Sequence, residues 1–517
     1  MKKLLAILLA LVFVLSMLAS CGDDGKSSTP KATTPKKDTA DNPGTEDEIP
    51  EEELLNLDLD AIDHEGASVT IFHWGTSNAG STDGEFTIEE DQINNDAVYD
   101  ALYRRNLYTE NGLGIELNFH GENYGYNQTP KFIDKLAARV SDPNTPVDLI
   151  ACQTRMMPSV MVDGYLTDLN IFSDIIDLDK VWWPEGCRET LSIKDRLYFI
   201  SGDISSNLLR MMQTLFVNKT HLNAFGYDYD IFMKDVLDYK WTLDDLIEMT
   251  TGRYQDLDTV QGPSDADFFG IVTTYFHSDA LFAGCGFDYM VQSSKDDEIF
   301  KLSIDLLNGN AYDYVTKLTE WNNTHDMYMD PAEKTYENSF KNGNSLFLLH
   351  RAWFGFELQK TDIQYAVVPA PLLNDSQKEY YTTMGTPHSS YGVCSHSPDY
   401  EIAAETVQTL GYYGYKYTTP AVFEVSFKGK FSKDDYTIQM FNIIREGIVF
   451  DVGKLYDTFI SGADREGWQY YPSNMVSWCV RDNIIWTTNF STARQILLKN
   501  QIEEANKKIL DFINADN

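Results

Sequence analysis

Pro146–Asn170 reads PVDLIACQTRMMPSVMVDGYLTDLN, and its opening run, Val147–Ala151, has the short apolar character of a buried strand. Upstream, Thr129-Pro130 opens a helix whose Phe132, Ile133, Leu136 and Val140 share one face. Before that, Ile115–Phe119 reads as a second strand. It is preceded by a helical stretch carrying Val98, Leu102 and Leu107, with Gly112 in the position of a C-terminal cap. Val69–Phe72 is a β-branched run that ends at His73-Trp74-Gly75 and reads as the first strand. Strand, helix, strand, helix, strand predicts a parallel sheet with helices on its faces, and such sheets bind ligands at the carboxyl ends of their strands. Trp74 and Cys152-Gln153-Thr154-Arg155 stand at those ends.

Ahead of the first strand the chain changes character. Lys2 and Lys3 precede an apolar run from Leu4 to Leu18, and small residues Ala19 and Ser20 lead into Cys21, the anatomy of a secretory signal peptide over residues 1–20. The run is 15 residues, short of the roughly 20 that a spanning helix needs. Leu18-Ala19-Ser20-Cys21 resembles a bacterial lipoprotein box. That resemblance implies cleavage before Cys21, a diacylglycerol on its sulfur, and a protein held on the outer face of the cytoplasmic membrane by lipid alone. Residues 21–64 are rich in Ser, Thr, Pro, Lys and acidic residues, with the block Glu51-Glu52-Glu53; they bury too little to order themselves and read as a tether.

The 517 residues carry 41 basic and 79 acidic side chains, a formal net charge of −38. Nucleic acid is thereby an unsuitable partner. The apolar fraction of 43% supports a large core. Besides Cys21, the cysteines Cys152, Cys187, Cys285, Cys394 and Cys479 form no C-x-x-C pair and read mostly as buried thiols, with one disulfide open. The nine histidines have no zinc spacing, so no metal or cofactor is expected. G-x-S-x-G, P-loop and G-x-G-x-x-G patterns are absent, as are internal repeats.

Pro146–Asn170 also resembles a hallmark of the family 1 extracellular solute-binding proteins, the receptors of ATP-binding-cassette (ABC) importers. The likeness continues through Leu197–Ile200, Leu215–Lys219, Gly226, and Trp241–Leu246, where Thr242 and Asp245 are spaced as a capping box. It extends to Ser339-Phe340 with Gly343, Leu346–Leu349 and Trp353, then Pro369 and Pro371, and Ser397-Pro398 with Ala403, Val407 and Leu410. A terminal helix carries Leu498, Ile502, Ala505, Ile509 and Phe512 on one face. The resemblance implies an α/β, two-lobed periplasmic-binding-protein-like fold (type II, Venus-flytrap) with helical additions in the C-terminal lobe. Its expected boundaries are 65–203 plus 370–416 for one lobe and 204–369 plus 417–517 for the other, with crossings near 201–205 and 367–372. The stretches Asp168–Lys194 and Tyr417–Asn489 are extra length relative to smaller relatives.

A cleft that closes on a solute needs aromatic platforms and converging polar groups when the solute is a sugar. By position the candidates are Trp74, Gln153 and Arg155 after the strands, Asp203 after the first crossing, Arg351 at the end of a strand, and His388 and Tyr391 in a turn-rich loop. By resemblance Trp353 is an aromatic platform, whereas Trp241 is assigned to packing. The implied function is capture of a small organic solute, with carbohydrate favoured, for ABC permease subunits, by a monomer that is not an enzyme. Two other classes stay open: a surface binder of glycan or peptide that does not feed a transporter, and a surface glycoside hydrolase, for which any pair among 79 carboxylates can be named.

Overall fold

The structure is a computed structural model that describes residues 62–75, 85–86, 97–385, 387–428, 435–461 and 471–515. The signal segment, Cys21 and the tether lie outside the described residues. Among the described residues no helix is long and apolar enough to cross a membrane.

Ala67–Trp74 (β1) is the centre of the first sheet because Val69, Ile71 and Phe72 are buried and a partner lies on each side. After β1 come Ala97–Leu113 (α1), Ile115–Glu122 (β2), Thr129–Val140 (α2), Leu149–Gln153 (β3) and Met157–Val162 (α3). β1 pairs in parallel with β2 (Ala67↔Ile115 to Trp74↔Glu122) and with β3 (Ile71↔Leu149), and Ser389–Val393 (β9) returns antiparallel on β3. The expected parallel grammar is present, with two local corrections. α1 runs through Gly112, and the residue that ends it in the left-handed region is Gly114 at φ 62°. β3 begins at Leu149 because the Asp148 carboxylate turns aside to accept from Thr70 N at 2.8 Å and Ser397 Oγ at 2.8 Å.

The second sheet has five strands in the order β8-β4-β7-β5-β6: Gln213–Asn218 (β4), Phe269–Thr273 (β5), Met327–Met329 (β6), Ser345–Arg351 (β7) and Tyr365–Val368 (β8). β5 is parallel to β6 and β7, whereas β4 runs antiparallel to β7 and β8. Thr242 and Asp245 form the expected capping box on Leu243–Thr250 (α5). Trp241 packs as assigned, stacked on Phe347 at 5.9 Å and edge-on to Phe232 at 5.2 Å.

Two passages join the sheets. In the first, Ile200 still pairs with Tyr391 beside β9, then Ser206–Arg210 (α4) forms, capped by Glu85, which accepts from Asn207 N at 2.8 Å and Ser205 Oγ at 2.7 Å. The second lies at Met384–Ser389, later than 367–372. Residues 370–372 stay with the second sheet because Leu372 N donates to Trp241 O at 3.0 Å and Trp241 Nε1 to Pro369 O at 3.3 Å. The passages are hydrogen-bonded to each other, Gln213 N to Thr383 O at 3.0 Å and Gly385 N to Met211 O at 2.8 Å.

A third connection is helical. Tyr400–Tyr413 (α8) packs on α1 and continues through a π-helical segment, Gly414–Thr418, into Thr419–Val422 (α9) and a second π segment, Phe423–Phe427. The rod ends against Phe354–Leu358 (α7) of the second lobe, where Gln359 Nε2 donates to Val425 O at 2.8 Å and a Cβ on Gly355 would stand 1.8 Å from Ser426 O. Trp182 and Trp183 of the extra length are buried under α8, with Trp183 Nε1 donating to Gln408 Oε1 at 3.0 Å. Tyr436–Glu446 (α10) packs on β8. Val452–Leu455 (α11) and Asp457–Ser461 (α12) follow, and Pro472–Arg481 (α13) packs on Tyr275–Gly284 (α6) as a helical addition to the second lobe. Thr492–Ala515 (α14) buries Leu498, Ile502, Ala505 and Ile509 as expected, and the stripe closes on Ile513 while Phe512 lies 5.1 Å from Tyr198. All five internal cysteines are buried free thiols.

Candidate functional site

The topology brings particular strand ends to the two passages. The first passage enters β4 at Gln213, opposite Arg351 at the carboxyl end of β7, and the second enters β9 at Ser389, opposite Gln153 at the carboxyl end of β3. Both passages therefore join the rims at which the parallel strands end, the binding rims of open α/β sheets. A shallow depression lined by Gly66, Glu110, Gly114 and Ile115 lies at the other, amino end of β1 and β2.

On the first rim Trp74 is buried and its Nε1 donates to Ser389 Oγ at 2.9 Å. Gln153, also buried, pairs with Ser389 across the ladder. His388 Nδ1 donates to Gly385 O at 2.9 Å, and its Nε2 is buried without a partner among the described residues. Burial pushes the His388 imidazole down to about 4, so it is neutral and Nε2 offers a lone pair.

The second rim is built on α6, which starts directly after β5. Phe276 and Tyr275, half-buried, stand edge-to-face at 5.2 Å, and Tyr275 meets Trp478 of α13 at 5.9 Å. Arg481 lies 4.0 Å over the Trp478 ring and Arg351 5.3 Å over Phe276. Behind this aromatic wall His277 Nδ1 donates to Gln213 Oε1 at 3.0 Å, leaving His277 Nε2 and Gln213 Nε2 unmatched. Burial holds His277 well below the ordinary imidazole range, so its Nε2 is an acceptor. His350 Nε2 lies 3.2 Å from Tyr336 OH and 3.3 Å from Glu337 Oε1. The rims thus hold unmatched acceptors (His277, His388) and unmatched donors (Gln213, Arg351), with aromatic faces beside them. Hydroxyl groups, which both donate and accept, suit such a set.

Of the remaining residues singled out from sequence, Arg155 and Asp203 are occupied by ion pairs within the protein. Arg155 makes a two-point ion pair with Asp457 of α12, with Nε–Oδ1 at 2.8 Å. Asp203 is fully buried and bound by Arg445 and Thr419. Tyr391 points into the first lobe, 6.2 Å from Phe86. Trp353 is half-buried at the start of α7, edge-on to His350 at 5.5 Å. Gln213, Phe276, His277 and Trp478 lack a sequence signal of their own, apart from the position of Phe276 and His277 just past a strand. The carboxylates of Asp256, Asp258 and Asp267 gather within 4.8 Å, a group the sequence reading without metal ligands did not anticipate. Asp267 already accepts from Leu257 N at 2.9 Å and Ser264 N at 3.0 Å, which makes it a loop staple.

No family model matches the chain. No curated protein matches it either. Solved structures do. A cyclo/maltodextrin-binding protein complexed with maltotetraose is 13% identical, covering 88% of this chain and 98% of its own, with a TM-score of 0.52. A sugar transporter from Rhizobium etli in an open conformation is 13% identical over 85% of this chain and 99% of its own, also at 0.52. The GacH receptor of Streptomyces glaucescens, solved unliganded and with acarbose, is 12% identical over 86% of this chain and 99% of its own, at 0.50. The fold is a two-lobed binding-protein fold. It carries the helical additions of α10 to α14 on the same two-sheet frame.

Proposed function

We propose that this protein is a lipid-anchored receptor on the outer face of the cytoplasmic membrane, which captures a sugar or oligosaccharide between its lobes and delivers it to the permease of an ABC importer. It acts as a monomer, without cofactor or turnover. The observation that carries this reading is the shared rim: both passages meet the carboxyl ends of both sheets, and there Tyr275, Phe276 and Trp478 present aromatic faces beside unmatched donors and acceptors. Hinge closure then brings the second rim onto a solute held by the first. The sugar-binding neighbours named above support the solute class.

Sugars raise the melting temperature of the full-length protein with concentration, a ligand at one hundred times its dissociation constant adding about 2.7 kcal/mol. Phe276→Ala and Trp478→Ala each weaken sugar binding by about ten-fold or more, an aromatic face contributing of order 1 kcal/mol beyond its area. A panel in which only peptides or amines stabilise the protein rejects the sugar reading. For the anchor, Cys21→Ser moves the protein from the membrane fraction to the soluble one; unchanged retention in membranes rejects lipidation at that residue.

A further inference from the structure

Among the described residues three arginines are deeply buried, and each is matched. Arg105 donates to Ile204 O at 2.7 Å and to Asn106 Oδ1 at 2.9 Å. Arg155 pairs with Asp457 and Arg445 with Asp203. Arg351, which is half-buried, breaks that pattern, as does Arg139 on α2, but only Arg351 of the two stands at a rim. Its Nε is buried without an acceptor, and no carboxylate among the described residues reaches its guanidinium within ion-pair distance. The two acids nearest in field, Glu337 and Glu333, are otherwise placed: Glu337 serves His350 and Tyr336, and Glu333 is exposed and also faces Arg481. Burial accordingly pulls the Arg351 guanidinium below its ordinary value.

The side chain is also held in position. A Cβ on Gly385 of the second passage would stand 2.6 Å from Arg351 Nε, so the hinge strand packs directly on the arginine, and the Phe276 ring lies 5.3 Å from its guanidinium carbon. Across the β4–β7 ladder Arg351 is the direct partner of Gln213, whose Nε2 is also an unmatched donor. Directly opposed residues of an antiparallel pair share one face with Cβ atoms about 5 Å apart. Two N–H donors side by side, one of them charged, match two oxygens of one carboxylate. A neutral hydroxyl supplies an acceptor and leaves the half-buried charge uncompensated; a carboxylate supplies both.

We propose that the captured solute is an acidic sugar, whose uronate carboxylate is received by Arg351 with Gln213 beside it at the hinge rim. This rests on the sugar-receptor reading. It makes the pair Gln213 and Arg351 the element that selects charged from neutral oligosaccharides.

The test measures binding by titration calorimetry to full-length protein in detergent. The probes are oligogalacturonate, oligoglucuronate and oligomannuronate, each as free acid and as methyl ester, together with maltotriose. At least one free acid binds ten-fold or more tightly than its own ester, and added salt weakens the acid alone. Arg351→Gln lowers the acid to the level of its ester, Arg351→Lys keeps part of the difference, and Gly385→Ala, which displaces Nε, behaves like a milder Arg351→Gln. The acid-against-ester comparison on the unaltered protein decides the matter even if a variant fails to fold. Equal binding of acid and ester, or tight binding of maltotriose alone, overturns the acidic-sugar inference while the sugar-receptor reading stands. Binding by none of the saccharides overturns both.

Discussion

Replacing Arg445 by alanine lowers the free energy of unfolding by about 3–5 kcal/mol, the cost of leaving one member of a buried ion pair alone. Asp203, with no exposure, is held by Arg445 Nη2 at 2.7 Å and Nε at 3.3 Å, and by Thr419 Oγ1 at 2.9 Å. Arg445 also donates to Val181 O at 2.8 Å. One carboxylate therefore ties the first passage to α9 of the helical rod and to α10 of the second lobe. Burial already raises the Asp203 carboxyl, with Arg445 opposing the rise. In the variant it rises further, and stability then falls as pH increases, because the folded form keeps a proton the unfolded chain gives up. The double variant Asp203→Asn, Arg445→Met recovers much of the loss. Urea titration is the measurement, and a loss below about 1 kcal/mol for Arg445→Ala would sink the assignment.

The second large effect is a pH dependence set by Asp451. Its carboxylate accepts from Tyr289 N and Gly453 N, each at 2.5 Å, at the start of α11, and burial together with the nearby Asp288 raises it to about 7. Burial and Asp305 lift Asp288 itself to about 6, and Lys454 pulls Asp451 the other way. The folded pKa lies above the unfolded one, so this contribution is fully present below the unfolded pKa near 3.8 and is lost as pH rises through about 7. The gap corresponds to roughly 4 kcal/mol. It is read as the difference between the unaltered protein and Asp451→Asn in urea midpoints from pH 4 to pH 8. Parallel curves for the two proteins refute it.

The first lobe was legible because its strands are apolar runs bounded by turn residues: β1, β2 and β3 were each located to within two or three residues. Where a polar side chain works inside the frame, the reading shifted. Asp148 belongs to the loop before β3 because its carboxylate staples Thr70 and Ser397. The second passage lies later than expected because Pro369 and Pro371, which resemble a hinge crossing, are kept with the second sheet by Trp241. At the rims, Trp74, Gln153, Arg351 and His388 are where their place after or before a strand puts them. Asp203 and Arg155 have the same local signature, yet their partners Arg445 and Asp457 are more than 200 residues away in sequence. Only the fold reveals that those charges are already matched. The same distance hid Trp478 and Tyr275, which come together because α13 packs on α6.

Because Met211–Gln213 and Thr383–Gly385 are zipped to each other by their own amides, the two passages form a single two-stranded strip. Such a strip flexes easily across its flat face and resists being sheared or twisted. The helical rod is a third tie between the halves, and its two π segments interrupt the regular helical ladder along it. Arg351, pressed by Gly385, packs on this strip itself, so whatever fills the rim at that arginine bears directly on the two strands that join the halves.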